Sequence, residues 1–265
     1  MSPRRPLSAV AIALLVSLLA PGCFAVANLD RFEVEPPACT GNATEERDYN
    51  WRVTGLFIPH PNQLFEMKVI ETTTGDVAAS IVYDGVPNDM RASVAGTLRN
   101  SLLPGTYRTQ FWADRSMSRA FEFGGDDHAW IEAVPDNGCF SFEHAAPFDV
   151  DVAPTDDDLK GNVSLRMLGM PGEHAGNPLI FRVRVERAAG LREVGYYRLD
   201  VIPTDVMGAP HLTLFDIAEE DSVYVVSVFV DADLDGKVSA GEATFDSPGL
   251  VASPDVSAAV DLGSL

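Results

Sequence analysis

The stretch Phe65-Glu66-Met67-Lys68-Val69 alternates apolar and charged side chains with a period of two. That is the pattern of a strand with one face on a core, since successive side chains of an extended chain point to opposite sides. The same phrase returns as Phe181-Arg182-Val183-Arg184-Val185-Glu186, in the same phase. Each copy follows a turn containing a histidine: Pro59-His60-Pro61-Asn62 and Glu173-His174-Ala175-Gly176-Asn177. Farther along, Tyr107-Arg108-Thr109-Gln110-Phe111-Trp112-Ala113-Asp114 lines up with Tyr224-Val225-Val226-Ser227-Val228-Phe229-Val230-Asp231. The copies are separated by 114 residues at the histidines, 116 at the Phe strands and 117 at the Tyr-to-Asp strands. Constant order with small insertions predicts an internal duplication.

Around these strands the chain consists of short apolar runs bounded by Gly, Pro, Asn and Asp, with no amphipathic helix of ten residues, so the fold class expected is all-β. The acidic, proline-containing stretch Asp151 to Lys160 suits a boundary. The expected organisation is a signal peptide at 1–22, a tether at 23–48, a first β-sandwich at 49–153, a linker at 154–160 and a second β-sandwich at 161–265. Seven or so short strands in each half is the size of an immunoglobulin-like or transthyretin-like sandwich, mostly antiparallel.

The first residues read as an export signal. Arg4 and Arg5 precede an apolar run from Leu7 to Ala20, which gives way to Pro21-Gly22-Cys23. A basic start, a short apolar segment and small residues are the parts of a secretory leader, and the run is too short for a comfortable transmembrane span. Cys23 resembles the lipidated cysteine of bacterial lipoproteins, although Leu19 stands four residues before it where that family's box has three. The resemblance implies a lipid anchor at Cys23 in the cell envelope; ordinary cleavage near Ala25 or Ala27 is the alternative. Of the three cysteines, lipid on Cys23 leaves Cys39 and Cys139 to form a disulfide, with two buried thiols as the other reading.

A net charge of −20 repels phosphate backbones and concentrates cations, which makes nucleic acid an unsuitable partner. It also serves solubility alone. Asp231-Ala-Asp233-Leu-Asp235-Gly236-Lys237-Val238-Ser239-Ala-Gly241-Glu242 is the stretch that carries chemistry. Calcium takes six to eight hard oxygens, and alternate loop positions closed by a bidentate glutamate supply them. The segment resembles the twelve-residue calcium loop of EF-hand and dockerin proteins. The resemblance implies carboxylate ligands from Asp231, Asp233, Asp235 and Glu242, the carbonyl of Lys237 and the hydroxyl or a bridging water at Ser239, with Gly236 at the sharp turn. Its flank departs from that family: Val223 to Val230 is β-branched and reads as a strand, so a static Ca2+ staple on a β-domain is expected rather than a helix-opening sensor. The first copy has Asp114-Arg115-Ser116-Met117-Ser118-Arg119 at the corresponding place, and no calcium is expected there.

The leading functional expectation is a non-enzymatic, lipid-anchored envelope protein that serves as a binding or structural module, with an unknown protein or carbohydrate partner. No Gly-x-Ser-x-Gly, His-Glu-x-x-His, phosphate-binding glycine loop or Cys-x-x-Cys occurs. An alternative is a zinc- or copper-binding protein using His60, His128 and His144. Trp51, Trp112 and Trp130 either offer stacking faces to a ligand or belong to the core.

Overall fold

The computed structural model describes residues 47–56, 62–86, 93–123, 128–134, 140–145, 153–157, 159–169, 172–202, 211–234 and 236–265. They are built almost wholly of strands. The first half contributes β1 (Arg47–Thr54), β2 (Leu64–Glu71), β3 (Val77–Asp84), β4 (Val94–Leu102), β5 (Tyr107–Ala113), β6 (His128–Val134) and β7 (Phe140–Ala145). The second contributes β8 (Gly161–Leu168), β9 (Leu179–Arg187), β10 (Gly190–Leu199), β11 (His211–Ala218), β12 (Val223–Val230), β13 (Thr244–Asp246), β14 (Leu250–Val251) and β15 (Val256–Asp261). Among these residues no helix is long and apolar enough to cross a membrane. The fold is all-β, two sandwiches that have their central sheet in common.

That sheet has nine strands and runs β13-β12-β9-β10-β3-β2-β5-β6, with β14 pairing beside β13 on β12. Read outward from its middle, β3-β2-β5-β6 on one side is matched by β10-β9-β12-β13 on the other. Three-stranded sheets β4-β1-β7 and β11-β8-β15 complete the two sandwiches. Apart from β14, the second half thus repeats the first strand for strand, down to the parallel pairs β1–β7 and β8–β15.

The halves meet where β10 pairs in parallel with β3, Gly195 opposite Ser80 and Leu199 opposite Asp84. Equivalent strands that pair in parallel are related by a half-turn about an axis along the strands, and that rotation exchanges the faces of the sheet. The two copies of the opening phrase therefore pack in opposite directions. Phe65, Met67 and Val69 join Tyr49, Trp51 and Val53 of β1 in one core. Phe181, Val183 and Val185 join Val163, Leu165 and Met167 of β8 in the other. Neighbouring residues divide the same way: Ile180 and Tyr196 lie in the first core, Phe181 and Tyr197 in the second. The cores consequently occupy opposite faces of one sheet, and each borrows side chains from the other half.

Residues 153–157, within the expected boundary stretch, pack closely against the first half. Thr155 accepts from the Arg108 guanidinium at 3.0 Å and donates to Gln110 at 3.0 Å. The Asp157 carboxylate, itself buried, accepts from the Val77 amide at 3.2 Å. The Lys68 ammonium reaches the Thr155 carbonyl at 3.1 Å and, on β11, the Asp216 carboxylate at 2.7 Å.

Candidate functional site: the loop after β12

β12 carries alternating buried residues Tyr224, Val226, Val228 and Val230 into the second core and stops at Asp231. The chain then returns to β13, and the loop base closes through the Val230 amide on the Ala243 carbonyl at 3.0 Å. A strand feeds the loop, as its β-branched sequence predicts.

Asp231 is fully buried, an expensive place for a carboxylate unless its oxygens are matched. Its amide donates to the Pro178 carbonyl at 3.0 Å. One oxygen accepts from the Gly236 amide at 3.2 Å and the other from the Arg198 guanidinium at 3.1 Å. Gly236 has φ +72°, a left-handed conformation in which a side chain is strained, and that turn aims its amide back at Asp231. Glu242 bridges the loop from its far end, accepting from the Ala232 amide at 2.8 Å and the Ser239 amide at 2.8 Å. One carboxylate oxygen from each of Asp231, Asp233 and Glu242 lies within 4.8 Å of the others.

Three carboxylates so close repel one another, and a cation of hard character relieves that repulsion. Asp233, exposed, and Glu242, half-buried, face solvent from which an ion arrives. The donor set is all oxygen, which suits calcium rather than zinc or copper. Lys237 and Ser239 lie on the same loop. Asp235 falls outside the described residues, as do Cys23, Cys39, Cys139 and His60.

Arg198 is the participant that the motif does not contain. It comes from β10, and its guanidinium also meets Asp200 at 3.4 Å. Burial alone would weaken its charge, but Tyr196, Tyr83, Asp231 and Asp200 together hold the pKa above the ordinary arginine value. It therefore offsets one carboxylate charge of the acidic cluster at its buried end.

At the equivalent loop of the first half, Asp114 is buried too, and its amide donates to the Leu64 carbonyl at 2.9 Å. Its carboxylate accepts from the Ser116 hydroxyl, the Ser118 amide and the Arg119 amide at 3.2, 3.2 and 2.6 Å. The Arg119 guanidinium is bound to both oxygens of Asp84 at 3.0 and 2.8 Å. Asp84 corresponds to Asp200: just after β3, Val86 donates to the Gln63 carbonyl and accepts from the Asn62 amide, as Ile202 after β10 donates to Asn177 and accepts from Gly176. Each copy ties its loop to a strand of the central sheet by an ion pair, Arg119 with Asp84 of β3 in the first half and Asp231 with Arg198 of β10 in the second.

Among the histidines, His144 of β7 stacks on Trp130 with ring centroids 4.4 Å apart, and its Nδ1 lies 3.5 Å from Glu132. His128 opens β6 opposite Ala113, its side chain outside the described residues. Trp51 and Trp112 are core residues, 2% and 4% exposed, and the Trp51 indole donates to the Tyr83 hydroxyl at 3.2 Å. Their faces are spent on packing, so the stacking role considered for them is not available. Trp130 packs at the margin of the first core.

No protein-family model matches the chain, and no curated protein matches it. Among solved structures, the major pilin protein (T-13) from Streptococcus pyogenes serotype GAS131465 is 8% identical, over 84% of this chain and 96% of that one, with a TM-score of 0.20. A putative adhesin from Bacteroides ovatus ATCC 8483 is 10% identical, over 80% of this chain and 92% of that one, with a TM-score of 0.23. Likeness this slight carries no argument about function.

Proposed function

We propose that this chain is a non-enzymatic, exported structural or binding module of the bacterial cell envelope, anchored by lipid at Cys23 and rigidified by one calcium ion on the loop after β12. The observation that carries the reading is the convergence of Asp231, Asp233 and Glu242, one carboxylate oxygen from each within 4.8 Å of the others, in a loop whose sequence has a ligand at each alternate position. Asp235, the Lys237 carbonyl and Ser239 complete the oxygen set. The ion ties the end of β12 to the start of β13, so its role is to hold the sheet edge. Its affinity falls in the extracellular range, a Kd of roughly 0.1–1 mM, which only an exported protein meets with calcium to fill it. The strongly acidic surface excludes nucleic acid; the partner is a protein or a carbohydrate.

Isothermal titration of the mature protein tests the metal. One calcium site is expected, with weaker heat from magnesium, and Asp233→Asn with Glu242→Gln eliminates it; absence of calcium heat at millimolar protein removes the staple from the reading. Intact-mass measurement of membrane-extracted protein tests the anchor. Acyl mass on a chain beginning at Cys23 supports it, and an unmodified chain beginning beyond Cys23 removes it.

A further inference from the structure

Lys68 of β2 and Asp216 of β11 are 148 residues apart in sequence and meet across the two halves, the ammonium nitrogen 2.7 Å from the carboxylate. Both are shielded from water, their side chains 5% and 15% exposed. Glu66, two residues before Lys68 and so on the same face of β2, has a carboxyl oxygen 3.7 Å from the same nitrogen, and its side chain is 10% exposed. An irregularity brings Asp216 there. β11 slips register against β8 between Leu214 and Ala218, and Asp216 takes a left-handed φ of +61°, a conformation that aspartate tolerates better than most residues. Its amide donates to the Asn162 side chain at 3.2 Å, which holds the turn in place. An amine, an acid and a second acid in a site with little water are the reactants and the proton carrier of amide formation. Burial pushes the Glu66 carboxyl up, toward the protonated form that such a carrier needs.

We propose that Lys68 and Asp216 condense to a side-chain amide, a covalent bond between the two halves, with Glu66 as its general acid and base. A proton of the ammonium passes along the 2.7 Å contact to Asp216, leaving a neutral amine beside a carboxylic acid. The amine lone pair attacks Cγ of Asp216 while Glu66 protonates a carboxyl oxygen, and the Glu66 carboxylate then takes a proton from the nitrogen. Collapse expels one hydroxyl, which receives the other hydroxyl's proton through Glu66 and leaves as water. One ammonium and one carboxylate thus give one amide and one water, Glu66 ends as it began, and no further reactant is needed. Fixed proximity supplies the effective concentration that free side chains lack, and burial keeps water from reversing the step. Asp156, 3.4 Å from the nitrogen, is 77% exposed and stays a hydrated carboxylate. With the Thr155 carbonyl at 3.1 Å it holds the ammonium, so the chain passes through the ion pair before the bond closes. The bond fastens the outer sheet β11-β8-β15 to β2, and it depends on neither the calcium nor the lipid.

Mass spectrometry of the full mature chain, reduced and denatured, tests this. The native chain is expected to be lighter than its sequence by one water, and trypsin to spare Lys68 and release residues 53–91 joined to residues 199–237. Lys68→Arg keeps the cation but lacks the nucleophilic amine, and is expected to retain the water and give separate fragments. Glu66→Gln keeps the shape but cannot carry the proton, and is expected to slow closure by about a hundredfold or more. The native result decides by itself, so a variant that folds poorly does not obscure it. A native chain that keeps its full mass and is cut at Lys68 after prolonged storage at neutral pH holds an ion pair only, which overturns the proposal. A water lost within a single fragment is a succinimide, as at Asp84-Gly85, and overturns it equally. Closure as fast in Glu66→Gln as in the native chain overturns the part given to Glu66.

Discussion

Lys68 is almost fully buried, yet its ammonium meets Asp216 at 2.7 Å, Asp156 at 3.4 Å and Glu66 at 3.7 Å. Burial pulls its pKa down, and Glu66, Asp216 and Asp156 more than reverse that. Burial pushes the Glu66 carboxyl up, and Lys68 only partly offsets it. Removing the cation leaves buried carboxylates unmatched, so Lys68→Met is expected to cost about 3–5 kcal/mol, and Lys68→Met with Glu66→Leu to recover part of it, in denaturant unfolding. The pH dependence follows from the two raised values. What protonated Glu66 contributes is complete below its unfolded pKa, about 4.3, and is lost as pH rises through the folded one. What charged Lys68 contributes persists until pH passes its unfolded value, about 10.4, and is lost through the folded one. Measured from pH 4 to pH 8, the stability of the native chain relative to Glu66→Gln is therefore expected to fall with rising pH; a rise contradicts the burial argument.

At the scale of elements, β4 crosses β1 where Trp51 lies on Gly96. A Cβ built on Gly96 would sit 2.4 Å from the Trp51 ring, and neither the buried indole nor the strand pairing of Trp51 with Gly96 leaves room to shift. Gly96→Ala is expected to cost about 1–3 kcal/mol by overpacking, read from chemical denaturation. Strands of this kind were legible from the period-two phrases at Phe65 and Phe181, because alternation reports burial of one face. It does not report which face. The half-turn between copies comes from the β3–β10 pairing, a contact over a hundred residues apart that local pattern does not encode. The loop after β12 was legible for a related reason: its acids follow one another at ligand spacing. Arg198 was not, since only the register of β10 against β9 brings it to Asp231.

The described residues form one central sheet with a sandwich on each face. Ile180, Tyr196 and Phe229 of the second half help to fill the first core, while Ile70, Val77 and Val82 of the first help to fill the second. Separation would expose those side chains and the paired edges of β3 and β10. Calorimetry is expected to give a single cooperative transition for the mature chain, with calorimetric and van't Hoff enthalpies equal; two resolved transitions contradict the shared core. On the calcium proposal, an ion on the loop after β12 would add stability to this sheet by mass action, since it would bind an arrangement of carboxylates that the unfolded chain lacks. The most direct test is the thermal midpoint of the mature protein in chelator and in calcium. With a Kd of roughly 0.1–1 mM, about 5 mM calcium contributes about 1–2 kcal/mol. That raises the midpoint by roughly 2–8 °C for a chain of this size. The expected result is that rise in the native chain and none in Glu242→Gln; the same midpoint in chelator and in calcium would contradict the calcium staple.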